Sequence, residues 1–123
     1  MIGEQFVSFD TAELLKEAGF EANLKTRYVE EEKDEWAFWD SGTKRSDYNY
    51  FDDTIACPTQ ALAARWLREV HNIDVMVDVY NRDYYVCNVY KNKHLMIIRN
   101  MVTSSFEKAL EEGLCEAIKL IKK

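Results

Sequence analysis

Five side chains in this 123-residue sequence could serve as soft metal ligands or form a thiol–imidazole pair: Cys57, His71, Cys87, His94 and Cys115. A structural zinc site draws its ligands in pairs about two to four residues apart, so that one turn of chain presents both. No two of the five stand that close, and the sequence predicts no metal site. A nucleophile made from Cys57 or Cys87 with a histidine would have to be assembled by folding alone, and would show itself as a thiol of lowered pKa. His71 falls in the last turn of a predicted helix, where an imidazole gains from the dipole, and His94 falls beside a turn, so neither requires a chemical role. There is no GxGxxG, no P-loop, no HExxH and no GxSxG, and four glycines leave no room for one. The expectation is a chain without catalytic residues, metal or cofactor, a small thiol-dependent enzyme standing as one alternative.

The carboxylates are abundant but badly placed for catalysis. The block Glu30–Glu35, "EEEKDE", lies in a predicted hairpin turn, where solvent keeps each group ionised, whereas a general acid needs burial or a crowded neighbour to raise its pKa. Beside this block the aromatic residues gather: Trp36, Phe38, Trp39, Tyr48, Tyr50 and Phe51. In strands, alternation turns some of them outward, and an outward aromatic patch is a protein-binding surface. The competing role is to cap an open sheet edge, half-buried.

Charge divides the chain unevenly. Residues 1–57 hold 14 acids against 6 bases, and residues 58–123 hold 8 against 10, within a net charge of −6. Non-specific nucleic-acid affinity comes largely from Lys and Arg displacing counterions, so the first half argues against that partner. Only Lys91, Lys93 and Arg99 in the second half keep it open. The three cysteines form an odd set without a CxxC, which suits reduced thiols and a cytoplasmic location. No apolar run reaches the roughly 20 residues of a membrane helix, and the start "MIGEQFVSFD" lacks the features of a secretory signal. No membrane partner is expected.

The elements that must position these residues follow from capping and periodicity. "SFDTAELLKEAGF" predicts a short helix with Asp10 as N-cap, Glu13 completing the capping box, Phe9 stapled on Leu14, and Gly19 ending it. "TRYVE" and "EWAFWD" predict a hairpin. Residues 41–56 have no clean period, although "YNYF" suits a short edge strand. Thr59 caps a helix whose apolar face is Leu62, Ala63, Trp66, Leu67 and Val70, and Asn72 is a natural left-handed terminator. Then Ile73, Val75, Val77 and Val79 alternate with polar neighbours, and the breaks "NRD" and "KNK" lead into "YYVCNVY" and "HLMIIRNMV", a three-stranded antiparallel meander. Ser104 and Glu107 cap a last helix with Phe106, Ala109, Leu110, Gly113, Leu114, Ala117, Ile118 and Ile121 on one face, Lys122 and Lys123 complementing its dipole.

Together these predict a single α+β domain over residues 1–123. A short N-terminal, a central and a C-terminal helix pack on a mostly antiparallel sheet, with helix and hairpin in 1–56 and a helix–strand–strand–strand–helix unit in 57–123. The order of that second unit resembles the double-stranded-RNA-binding domain in topology. That family carries lysines at the start of its last helix, where this chain has "SSFEKALEEG".

Three segments stand out as a set: "FDTAELLKEAGF", "CPTQALAARWLREVHNI" and "SSFEKALEEGLCEAIKLI". In this order and spacing they resemble a group of small phage- and prophage-encoded proteins of gut Bacteroidales bacteria, the middle segment being the most specific. The resemblance implies a cytoplasmic accessory protein of a mobile element, and carries over no activity or catalytic residue. The expectation is a non-enzymatic protein-interaction module with a host or phage protein as partner. Its aromatic and acidic first half would bind, its second half would act as scaffold, and a homodimer is compatible with it.

Overall fold

The computed structural model describes residues 3–97 and 102–121. Ser8 starts the first helix, α1 (Phe9–Glu17), its hydroxyl accepting from the Thr11 N–H. The start therefore lies two residues before the expected cap at Asp10, because Ser8 is also held by Glu111 from the last helix. Gly19, at φ +89°, closes α1 as expected: its N–H bonds the Lys16 carbonyl while the Phe20 N–H reaches back to Leu15, both of those side chains fully buried.

The hairpin forms as β1 (Thr26–Glu32) and β2 (Glu35–Asp40), with Asp34 taking positive φ in the turn. "YNYF" is not a strand. Tyr48–Tyr50 form a 3₁₀ turn whose Asp47 carboxylate accepts the Asn49 N–H, and the strand of this region is β3 (Thr54–Ala56), pairing antiparallel with β1. Asn49 explains the change. Its amide donates to the Phe20 carbonyl and accepts the Ala56 N–H, both at 2.8 Å, so one polar side chain ties the irregular segment to α1's exit and to β3.

Thr59 caps α2 (Gln60–His71), and Asn72 stops it at φ 53°, ψ 41°. Its buried stripe is Gln60, Ala63 and Leu67, which leaves Val70 exposed against expectation; Trp66 is half-buried, edge-on to Phe20 at 5.3 Å. The meander follows as β4 (Ile73–Val79), β5 (Tyr85–Lys91) and β6 (His94–Ile97), with β7 (Val102–Thr103) also pairing β5. The part of "HLMIIRNMV" from 98 to 101 lies outside the described residues, as do Lys122 and Lys123. Val79, the last expected inward position of β4, is exposed. The last helix, α3 (Phe106–Lys119), is capped by Ser105 rather than Ser104, and Phe106 is exposed while Ala109, Gly113, Leu114, Ala117 and Ile118 are buried.

The architecture is α+β. Among the described residues the strands divide into two antiparallel sheets, β2-β1-β3 and β4-β5-β6/β7, with the helices between them. Helix α3 lies on β4 and β5, α2 packs on β4 and α3, and α1 bridges α3 and β3. The N-terminal segment sews the halves together: Phe6 bridges Thr59, the Val7 N–H bonds the Pro58 carbonyl, and the Gln60 N–H bonds the Gln5 carbonyl.

Candidate functional site

Register decides where the aromatic residues go. Phe38 pairs with Tyr28 and Trp36 with Glu30, so Trp36 and Phe38 share the inner face of the first sheet, where Phe9 lies 5.2 Å from Trp36 and Phe6 lies 5.3 Å from Phe38. Trp36 is half-buried there, and Phe38 remains partly open. Trp39 pairs with Arg27 on the outer face and is 48 % exposed. The Arg27 guanidinium lies between two rings, 5.7 Å from Trp39 and 4.6 Å from Tyr48. Tyr48 itself is buried and donates to Ser41. Tyr50 and Phe51 stand apart in an exposed pair, their loop held by Lys16, whose ammonium donates to the carbonyls of Phe51 and Thr54. The six residues thus form three groups rather than one patch, and only Trp39, Phe38, Tyr50 and Phe51 reach solvent substantially.

The thiols sit in apolar surroundings. Burial pushes Cys57 from 9.0 up to about 12 and Cys87 up to about 11, and also raises Cys115, which is half-buried. These are shifts away from the thiolate that nucleophilic chemistry needs. His71 packs its ring edge-on against Trp66 at 4.7 Å, and His94 opens β6. Of the basic residues considered for nucleic acid, Lys91 donates to the Leu120 carbonyl, Lys93 pairs with Asp74 at 2.7 Å, and Arg99 lies outside the described residues.

No family model, curated protein or solved structure matches this chain.

A feature the sequence reading missed is a polar knot where α1, α2 and α3 converge. Glu111 Oε2 accepts from the Ser8 N–H at 3.0 Å, from the Ser8 hydroxyl at 2.9 Å and from the Thr11 hydroxyl, and its Oε1 accepts from the Gln60 amide at 3.0 Å. The Thr11 hydroxyl also meets the Cys115 sulfur. Above this knot opens a cleft of about 480 Å³ bounded by residues 4–8, Tyr28, Phe38, Gln60, Glu107, Lys108 and Glu111. The Tyr28 hydroxyl and the Cys57 thiol both donate to the Val7 carbonyl at its margin. Burial, with Cys57 and Glu111 nearby, pushes the Tyr28 phenol above its ordinary range. A single sequence carried one faint signal for the knot: Glu111 adjoins Leu110 on the helix's apolar side, a place where a carboxylate requires partners.

Proposed function

We propose that the chain is a non-enzymatic protein-interaction module, a cytoplasmic accessory protein of phage or prophage type, whose host or phage partner docks along β2. The observation that carries this reading is Trp39. It lies on an outer strand that, among the described residues, pairs only with β1. It is exposed yet held in place, by Arg27 against its ring and by its indole N–H donating to Glu31 at 3.3 Å. A pre-ordered aromatic beside unpaired strand backbone is the arrangement used for strand addition and for interface anchors. Glu31, Glu35 and Asp40 around it favour a basic partner segment. The resemblance noted in the sequence supports the mobile-element setting, and the helix-backed second sheet supplies the scaffold. A second copy of the chain is one partner such an edge accepts.

Affinity capture from the native host with wild type and Trp39→Ala tests it. The expected result is a partner retained by wild type, released at high salt, and lost with Trp39→Ala while stability is unchanged. A partner held equally by Trp39→Ala and Phe38→Ala would refute the β2 edge as the docking site.

A further inference from the structure

The cleft above the polar knot is lined by more acceptors than donors. Gln60 is only 4 % exposed. Its Nε2 donates to the Glu107 carbonyl at 2.9 Å and to Glu111 Oε1 at 3.0 Å. Both partners can only accept, which fixes the amide's orientation and leaves Oε1 as an acceptor open to solvent rather than a buried one without a partner. Glu111 is lopsided in the same sense, its Oε2 taking three donors and its Oε1 only the one from Gln60. The Tyr28 hydroxyl is committed to Val7. Among the side chains around the cleft, donors remain on the exposed Gln5 and Lys108. Carboxylates outnumber cations there, Glu4, Glu107 and Glu111 against Lys108, and Phe6, Tyr28 and Phe38 supply ring surface, with Phe6 at 5.3 Å and Tyr28 at 5.8 Å from Phe38.

We infer that this cleft binds an organic cation, a primary ammonium or guanidinium group. The N–H groups of the cation take the place of water as donors to Gln60 Oε1 and to the remaining lone pair of Glu111 Oε1, and its alkyl stem lies on the aromatic rings, where a cation is attracted by the ring face. The cleft volume falls within the roughly 300–1,000 Å³ of small-ligand sites. An anion would face three carboxylates and gain only exposed donors. The same chemistry is presented by a free amine and by a lysine or arginine side chain of a protein, and the site does not depend on the β2 edge as a docking surface.

The test is titration of the full chain, followed by NMR at the Gln60 side-chain amide and the Phe38 ring, with three probes: n-butylamine, a blocked peptide with a central arginine, and n-butanol as the uncharged isostere. At least one cation should give saturable shifts at both reporters and n-butanol none. Binding by the amine marks a small-molecule site, and binding by the peptide alone marks a partner's side chain; either supports the inference. Glu4→Gln with Glu107→Gln, both exposed positions, should weaken the cation about fivefold. No shift with either cation, equal shifts with n-butanol, or undiminished affinity in the double variant would overturn it. Since no protein partner enters the titration, its outcome is separate from that of the Trp39 capture experiment.

Discussion

Gly113 on α3 presses its bare Cα against Cys87 on β5: a Cβ at position 113 would lie 2.8 Å from Val75 Cγ1 and closer still to the Cys87 sulfur. A glycine inside a helix costs about 1 kcal/mol relative to alanine, and here the close approach of helix to sheet requires it. Gly113→Ala should regain that propensity yet lose about 1–3 kcal/mol to overpacking, for a net loss of up to about 2 kcal/mol in denaturant unfolding. Adding Cys87→Ala should recover part of the loss, a coupling that a double-mutant cycle reads directly.

Glu111 should behave as a fastener of the helices. Glu111→Ala removes the charged acceptor shared by Ser8, Thr11 and Gln60, leaving Thr11 with Cys115, Gln60 with the Glu107 carbonyl and Ser8 with water, and is expected to cost about 1.5–3 kcal/mol. Hydrogen exchange should then quicken in α1 before it quickens in β4 and β5. An unchanged unfolding midpoint would show that water replaces the carboxylate without penalty.

The two tryptophans of β2 should separate cleanly. Trp36→Ala removes the ring against Phe9 and should cost about 1–3 kcal/mol. Trp39→Ala, on the outer face, should stay within about 1 kcal/mol of wild type while losing the partner. Equal destabilisation by both would make Trp39 a packing residue.

Thiol chemistry gives a pH-dependent outcome. The folded state raises Cys57 from 9.0 to about 12 and Cys87 from 9.0 to about 11, so below pH 9 these groups are protonated in both states and stability is flat with respect to them. Above pH 9 the unfolded chain releases protons that the folded chain keeps, and stability falls by up to about 1.4 kcal/mol per pH unit for each thiol. The fall ends near pH 11 for Cys87 and pH 12 for Cys57. Urea midpoints between pH 8 and 11 check it, and Cys57→Ala should make the slope shallower while leaving the Cys87 contribution. At neutral pH, Cys115 should alkylate first and the other two only on unfolding.

Where local chemistry and packing pull the same way, the sequence was readable. Thr59 and Asn72 bracket α2 as written, Gly19 terminates α1, and the alternation after Asn72 becomes β4. Misplacements arose where a distant residue decided the matter. Asp10 has a plausible cap side chain, but Ser8 prevails because Glu111, 103 residues away, holds it. The region 41–56 has no period because its order comes from Asn49 bonding to Phe20 and Ala56, a pattern of single polar contacts that leaves no hydrophobic repeat. The aromatic cluster was visible as composition. Its partition between two sheet faces depended on pairing register, and the cleft depended on three helices meeting.

The bonds from Gln5 and Val7 to Gln60 and Pro58 carry a consequence for how the molecule can be taken apart. A chain cut between Ala56 and Cys57 would leave one fragment without the floor of its cleft and the other with the first turn of α2 stripped of its neighbour. Neither piece is suited to travel alone as a module; two co-expressed halves would be expected to recover the native arrangement only by finding each other.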